Sequence, residues 1–243
     1  MTYFLTCSCG RHTLLERSVG MFLAQETHQD CTQVIFNNSN VPLTLDLPKD
    51  QPKNLSVWLI NSCDTVYSTL GQIYNHALTF LPKEGIIVHY DDDDCILPNH
   101  AVEGINGFRE ATFHNKLAYK PSQSYYYEGG KVSLTSNVME PSIFIDLGTL
   151  KKVGYNDTTS DQHLKWVTYL TEDNLLYVDP RGVPTLLYEW GNSVPTFKTS
   201  GNPSNPNNFQ EYRHFSQDHG DRIVTPWSKE KVKALYNSLN LPK

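Results

Sequence analysis

Residues 85–90 (GIIVHY) are apolar enough to form a strand buried on both faces, and they run without a break into four aspartates at 91–94. CILP follows at 95–98, so the acidic run is bracketed by apolar segments. This juxtaposition limits the folds open to the chain. A strand with no polar face must be covered on both sides, as parallel sheets flanked by helices are. In such sheets ligands gather at the carboxyl ends of the strands. Several carboxylates at one strand end repel one another unless a cation neutralises them. Hard divalent cations such as Mg2+ or Mn2+ take oxygen ligands and leave coordination positions for phosphate oxygens. The run therefore reads as a metal–diphosphate site, set against the alternative of a solvated acidic turn.

The surrounding pattern agrees with a layered α/β chain. Residues 3–7, 33–36 and 56–60 read as short apolar strands. Between and after them, 13–25 and 70–81 read as helices, the first with Leu14, Leu15, Val19, Phe22 and Leu23 on one face, the second ended by Pro82. Strands alternating with helices predict a mostly parallel sheet flanked by helices. The second half is less regular. Strand-like aromatic runs lie between 113 and 138 with Gly129-Gly130 as a hairpin turn; 142–147 reads as a strand, 162–170 as a helix, 200–209 as a loop and 228–239 as a final helix. At 243 residues the chain suits one domain, with residues 1–98 as its regular half and 99–243 as its irregular half.

Charge and cysteines narrow the setting. A net charge of -6 argues against a general nucleic-acid coat, though not against a local basic groove. No stretch is apolar for long enough to span a bilayer, and MTYFLTCSCGRH is not a secretory signal, so no stable membrane association is expected. Five cysteines (Cys7, Cys9, Cys31, Cys63 and Cys95), an odd count set in or beside apolar segments, suit reduced core thiols in a cytoplasmic protein.

Several segments, in order, resemble those of family 2 inverting glycosyltransferases of the GT-A fold. They are TYFLTCSCGR, LLERSVGMFLAQ, QVIFNNS, LGQIYNHAL and, most specific, YDDDDCILPNH with Pro98 in its usual place. The resemblance covers about the first two thirds of the chain and looks like the compact, phage-type members. It implies a nucleotide-sugar-binding half at 1–98, an acceptor-binding half at 99–243, and a divalent metal, Mn2+ or Mg2+. It implies that Asp91 and Asp93 form a DxD pair. Asp93 would bind the metal, and Asp91 the donor ribose or a metal-bound water. Asp92 would belong to the donor site, and Asp94 would help position the acceptor side. Thr6, Ser8 and Arg11 would line the nucleotide pocket, with Gly71 and Asn75 on the following helix. The family's acidic base readers are replaced by Asn37 and Asn38, whose amides can still bond a base edge. UDP-sugar stays the default donor. The basic residue that often precedes Asn75 is absent, which leaves Lys198 as the candidate diphosphate contact.

The resemblance places the catalytic base at a helix start in the second half. Asp161, in TTSDQHLKW, fits; its alternative is an N-cap. Glu140, Asp157 and Asp146 are the next carboxylates to consider. His163 either orients Asp161 or packs. His214 and His219 are candidates for a further metal ligand, Trp190 for stacking on sugar or acceptor, and Glu140 for an acceptor contact. The leading acceptor is 5-hydroxymethylcytosine in DNA, a flipped base stacking on aromatics at 125–127, with Lys116, Lys120, Lys131, Lys151 and Lys152 near phosphates. A glycan or lipopolysaccharide precursor is the alternative acceptor. A nucleotidyltransferase, or a non-catalytic sugar-binding module, is the alternative class.

Overall fold

In the computed structural model, residues 1–8, 11–39, 41–128, 131–158, 161–189 and 223–242 are described. The first half alternates as the sequence pattern predicts. β1 (Thr2–Ser8) leads to α1 (His12–Leu23), β2 (Cys31–Asn37), a short β3 (Thr44–Leu45) and β4 (Leu55–Asn61), then α2 (Leu70–Thr79) and β5 (Ile86–His89). β6 (Cys95–Ile96) and α3 (His100–Phe113) follow. The second half adds β7 (Ala118–Pro121), β8 (Gln123–Glu128), β9 (Lys131–Ser136), β10 (Phe144–Asp146), α4 (Leu147–Val153), α5 (Leu164–Glu172), β11 (Leu176–Asp179), β12 (Leu186–Glu189), β13 (Ile223–Val224) and α6 (Lys229–Ser238).

Seven strands form the main sheet in the order β11-β7-β10-β5-β1-β2-β4. β1 pairs in parallel with both β2 and β5, whereas β10 runs antiparallel to both of its neighbours. The strand period of two sends alternate residues of β1 to opposite faces. Phe4 joins the core beneath α1, α3 and α6; Tyr3, Leu5 and Cys7 join the core beneath α2, α4 and α5. A single strand thus feeds two cores, the reason all seven of its residues are buried. Burying a side chain such as Phe4 or Leu5 contributes about 1.5–3 kcal/mol.

A second sheet, β6-β12-β8-β9, stands beside the first. β8 and β9 pair antiparallel, with Glu128 opposite Lys131; the turn expected at Gly129-Gly130 lies outside the described residues. The four aspartates form the link between sheets, leaving β5 of the main sheet at His89 and entering β6 of the second at Cys95.

The sequence pattern gives no helix over 100–113, yet α3 is the longest described helix. Gly104 and Gly107 weaken helix propensity but are required by packing. A Cβ on Gly104 would come within 1.9 Å of the Phe144 ring, and one on Gly107 within 2.1 Å of the Tyr119 ring. α3 lies so close to the sheet that only glycine fits. Gln25, expected inside α1, lies past its end and ties it to this region, donating to Leu97 O at 2.9 Å and accepting from Ala101 N at 2.9 Å.

Candidate functional site

The carboxyl ends of β1 and β5 lie side by side, so residues leaving them converge. Asp92 turns inward: Ser8 Oγ donates to its Oδ2 at 2.6 Å, Arg11 Nε donates to the same oxygen at 3.1 Å, and the guanidinium also pairs with Oδ1. Burial and the neighbouring Asp93 and Asp91 push the Asp92 carboxyl up to about 6, against the pull of Arg11 and Ser8. Arg11 also reaches Asp93 at 3.5 Å. Arg17, a buried arginine in the middle of α1, donates to Asp93 O at 2.7 Å and so fixes the backbone of the turn.

Asp91 faces the other way. Its Oδ1 accepts from Tyr74 OH at 2.9 Å and contacts His89 Nε2 at 2.8 Å. Burial works against its ionisation, but His89, His163 and Tyr74 outweigh it and hold the carboxyl below the usual carboxylate range. One oxygen each from Asp91, Asp93 and Asp94 lie within 4.8 Å of one another. Opposite oxygens around a small hard cation stand roughly 4.2 Å apart, so this group fits a single divalent ion. Asp94, expected on the acceptor side, stands in this group with Asp91 and Asp93, while Asp92, expected at the donor, is bonded to Ser8 and Arg11.

The other expected residues divide. Ser8 and Arg11 border the carboxylates. Thr6 faces α1, where Gln33 Nε2 donates to its hydroxyl at 3.1 Å, so it supports the site from the core. Asn37 does not present its amide to a ligand. It donates to Val41 O and Asn61 Oδ1, each at 2.8 Å, and accepts from Ser39 Oγ at 2.7 Å, which shapes the β2 tip. Asn38, half-buried, is the amide left at that tip. Gly71 and Asn75 hold the loop after α4. Gly71 N donates to Thr158 O at 3.0 Å, and Asn75 bonds Tyr155 through both amide atoms, at 3.0 and 2.8 Å.

That loop leads to Asp161. The helix expected to begin at Asp161 begins three residues later: Leu164 N donates to Asp161 O at 3.1 Å, and His163 occupies the cap position. Asp161 is exposed. His163 packs edge-on against His89 with ring centroids 4.3 Å apart, which joins the Asp161 segment to the Asp91 strand. Burial, with His89, holds the His163 imidazole well below its usual range. Glu140 sits in a 3-10 turn beside β5; burial raises its carboxyl, and it feels His89, Asp91 and Lys120. Trp190, Lys198, His214 and His219 lie outside the described residues. Among the residues that the sequence pattern did not single out, His89 has a readable signal, a polar side chain inside the apolar run 86–90, whereas Arg17 and Tyr74 stand among other polar residues and have none.

Three of the lysines are bonded to backbone carbonyls. Lys116 donates to Asn174 O, Lys120 to Asn137 O and Lys151 to Leu81 O, at 2.6, 2.7 and 2.6 Å. Cys7 and Cys31 are free thiols; Cys9 lies outside the described residues. Among the described residues no helix is long and apolar enough to cross a membrane.

No protein-family model matches the chain, and no curated protein matches it. Solved structures do. S. aureus TarS 1–349 in complex with UDP-GlcNAc aligns with a TM-score of 0.61 at 13% identity, covering 87% of this chain and 64% of that one. Its complex with UDP gives 0.55 at 13% identity, over 88% and 63%. The mannosyltransferase PcManGT from Pyrobaculum calidifontis, in complex with GDP-Man and Mn2+, gives 0.55 at 10% identity, over 88% and 68%. The chain thus spans about three fifths of the length of the TarS fragment. The likeness is one of fold: a mixed α/β architecture with a central, mostly parallel sheet flanked by helices, shared with glycosyltransferases.

Proposed function

We propose that this chain is a metal-dependent, inverting glycosyltransferase of the family 2 type, moving a sugar from a nucleotide-sugar, by default a UDP-sugar, to an acceptor hydroxyl. The observation that carries the reading is the group of Asp91, Asp93 and Asp94 oxygens within 4.8 Å at the carboxyl end of β5, in a fold shared with nucleotide-sugar enzymes. These three carboxylates would hold Mn2+ or Mg2+, whose charge stabilises a departing diphosphate. Arg11, with its guanidinium between Asp92 and Asp93, would stand beside that diphosphate.

Asp161 takes the acceptor proton as the acceptor oxygen attacks the anomeric carbon; the bond from that carbon to the diphosphate breaks, and the nucleoside diphosphate leaves. The docking of His163 against His89 supports this assignment, because it ties the segment that follows Asp161 to the end of β5. Glu140 faces the site from the turn before β10 and is assigned to the acceptor.

The acceptor is taken to be 5-hydroxymethylcytosine in DNA. The support is aromatic. Tyr126 and Tyr188 stack with centroids 6.1 Å apart, and Tyr188 follows the Leu187–Cys95 pair, which places it alongside Asp94 in the register. Such a stack suits a flipped base. The lysines contribute less, because three of them are tied to backbone carbonyls. Free thiols agree with a cytoplasmic setting.

The test is a panel of UDP-sugars with duplex DNA carrying 5-hydroxymethylcytosine or plain cytosine, followed by mass spectrometry, with and without EDTA. A sugar-sized gain on the hydroxymethylated duplex alone, lost in EDTA and in Asp93→Asn, is expected. Full transfer in EDTA removes the metal. Transfer to a soluble glycan but never to DNA moves the acceptor to the glycan class.

A further inference from the structure

Asp91 has its orientation set from behind. Tyr74 lies in the middle of α2 and is 1% exposed; His89, 2% exposed, ends β5. Their polar atoms form a triangle on one carboxylate oxygen: Tyr74 OH to Asp91 Oδ1 at 2.9 Å, His89 Nε2 to Asp91 Oδ1 at 2.8 Å, and Tyr74 OH to His89 Nε2 at 3.0 Å. His89 Nδ1 is buried without a partner among the described residues. That places the proton on Nε2, where it has an acceptor; an Nδ1 proton would be a buried donor with none. Two donors therefore converge on Oδ1, and Oδ2 is the oxygen left to the cleft. The ring of Tyr74 is itself held, stacked on Tyr155 at 4.8 Å with an interplanar angle of 22°.

We infer that Tyr74 and His89 are positioning residues for the metal site, locking the Asp91 carboxylate in the orientation that offers Oδ2 to the cation. This rests on the metal reading above. Free rotation of Asp91 would let its charge pair with His89 through either oxygen and leave the cation with two carboxylates for part of the time. Groups behind metal ligands typically alter affinity 10–100-fold when removed. The placement has a second effect. Tyr74 shares α2 with Gly71 and Asn75, which hold the 154–158 loop leading to Asp161. One helix therefore mounts both the metal carboxylate and the segment bearing the proposed base.

The test measures Mn2+ binding to the full chain by the loss of the free-ion EPR signal, in the presence of UDP. Tyr74→Phe keeps the ring stack and loses only the donor. It should bind Mn2+ 10–100-fold more weakly than wild type. In an Asp91→Asn background the same substitution should change the affinity little, because the group it orients is no longer a carboxylate. Unchanged Mn2+ affinity in folded Tyr74→Phe overturns the inference while the metal reading stands. Wild type that fails to bind Mn2+ with UDP overturns both. If Tyr74→Phe does not fold, His89→Gln, which keeps a donor near Oδ1, should bind like wild type and His89→Leu 10–100-fold more weakly; equal affinities overturn the inference.

Discussion

His100 makes the protein sensitive to mild acid. It begins α3 with 0% exposure, its ring packed against Phe4 and Phe144 at 6.0 and 5.2 Å, and Nδ1 bonded to Thr185 Oγ1 at 2.8 Å. Nε2 has no partner among the described residues. Burial lowers its pKa from 6.5 to about 3, and a helix N-terminus also disfavours a cation. The folded value is the depressed one, so in this window the unfolded chain binds more protons and stability falls as pH drops below 6.5 towards 3. Between pH 7.5 and pH 5 this single group removes about 2 kcal/mol, a fall in Tm of about 4–8 °C for a chain of this size. His100→Asn keeps a bonding partner for Thr185 and carries no titrating group. Its Tm at pH 7.5 will be lower because the smaller side chain leaves a cavity, but that offset does not vary with pH. Other titrating groups remain in both proteins, so the difference between their Tm-against-pH curves isolates His100. The variant should be flatter by about 4–8 °C across the window. Parallel curves would refute the argument and mean that protonated His100 finds a partner or water in the folded state.

Two further outcomes follow from the packing around α2 and α5. Gly71→Ala places a Cβ 1.6 Å from Asn156 O; the loop must shift, and the expected cost is about 1–3 kcal/mol, read as a fall in Tm. An unchanged Tm would mean that the loop does not dock on α2. Asp161→Asn should fold and bind UDP as wild type while turnover falls by ~10²–10⁴-fold; wild-type turnover would send the search for the base to Glu140, Asp157 or Asp146.

Legibility in the sequence follows locality. The run 85–94 announces a buried strand and its acidic end because both signals lie in consecutive residues, and the alternation of β1, α1, β2 and α2 is read from spacing alone. α3 is illegible because Gly104 and Gly107 answer to the rings of Phe144 and Tyr119, distant in sequence. The antiparallel direction of β10 is equally hidden, since direction is a property of pairing. Within the site, adjacency in the run 91–94 conceals a division of labour. Asp92 turns to Arg11 while Asp91, Asp93 and Asp94 group together, a separation fixed by where Ser8 and Tyr74 happen to stand. Asn37 suits a base-reading amide by type, but Asn61 and Ser39 saturate it. His214, His219, Lys198 and Trp190 fall outside the described residues.

The link between the two sheets has a fixed length. β5 ends at His89 and β6 starts at Cys95, so five residues separate two ladders whose registers are set independently, Leu5 against His89 and Leu187 against Cys95. One residue added there cannot be absorbed as slack. It would either rotate Cys95 and Ile96, both fully buried, onto the wrong face, or bulge the carboxylates apart. The β8–β9 pair, whose strands lie in one sheet, carries no such double constraint. Length variation among chains built on this plan should therefore collect at hairpin tips and avoid the acidic bridge, which acts as a gauge block setting the spacing between the two sheets.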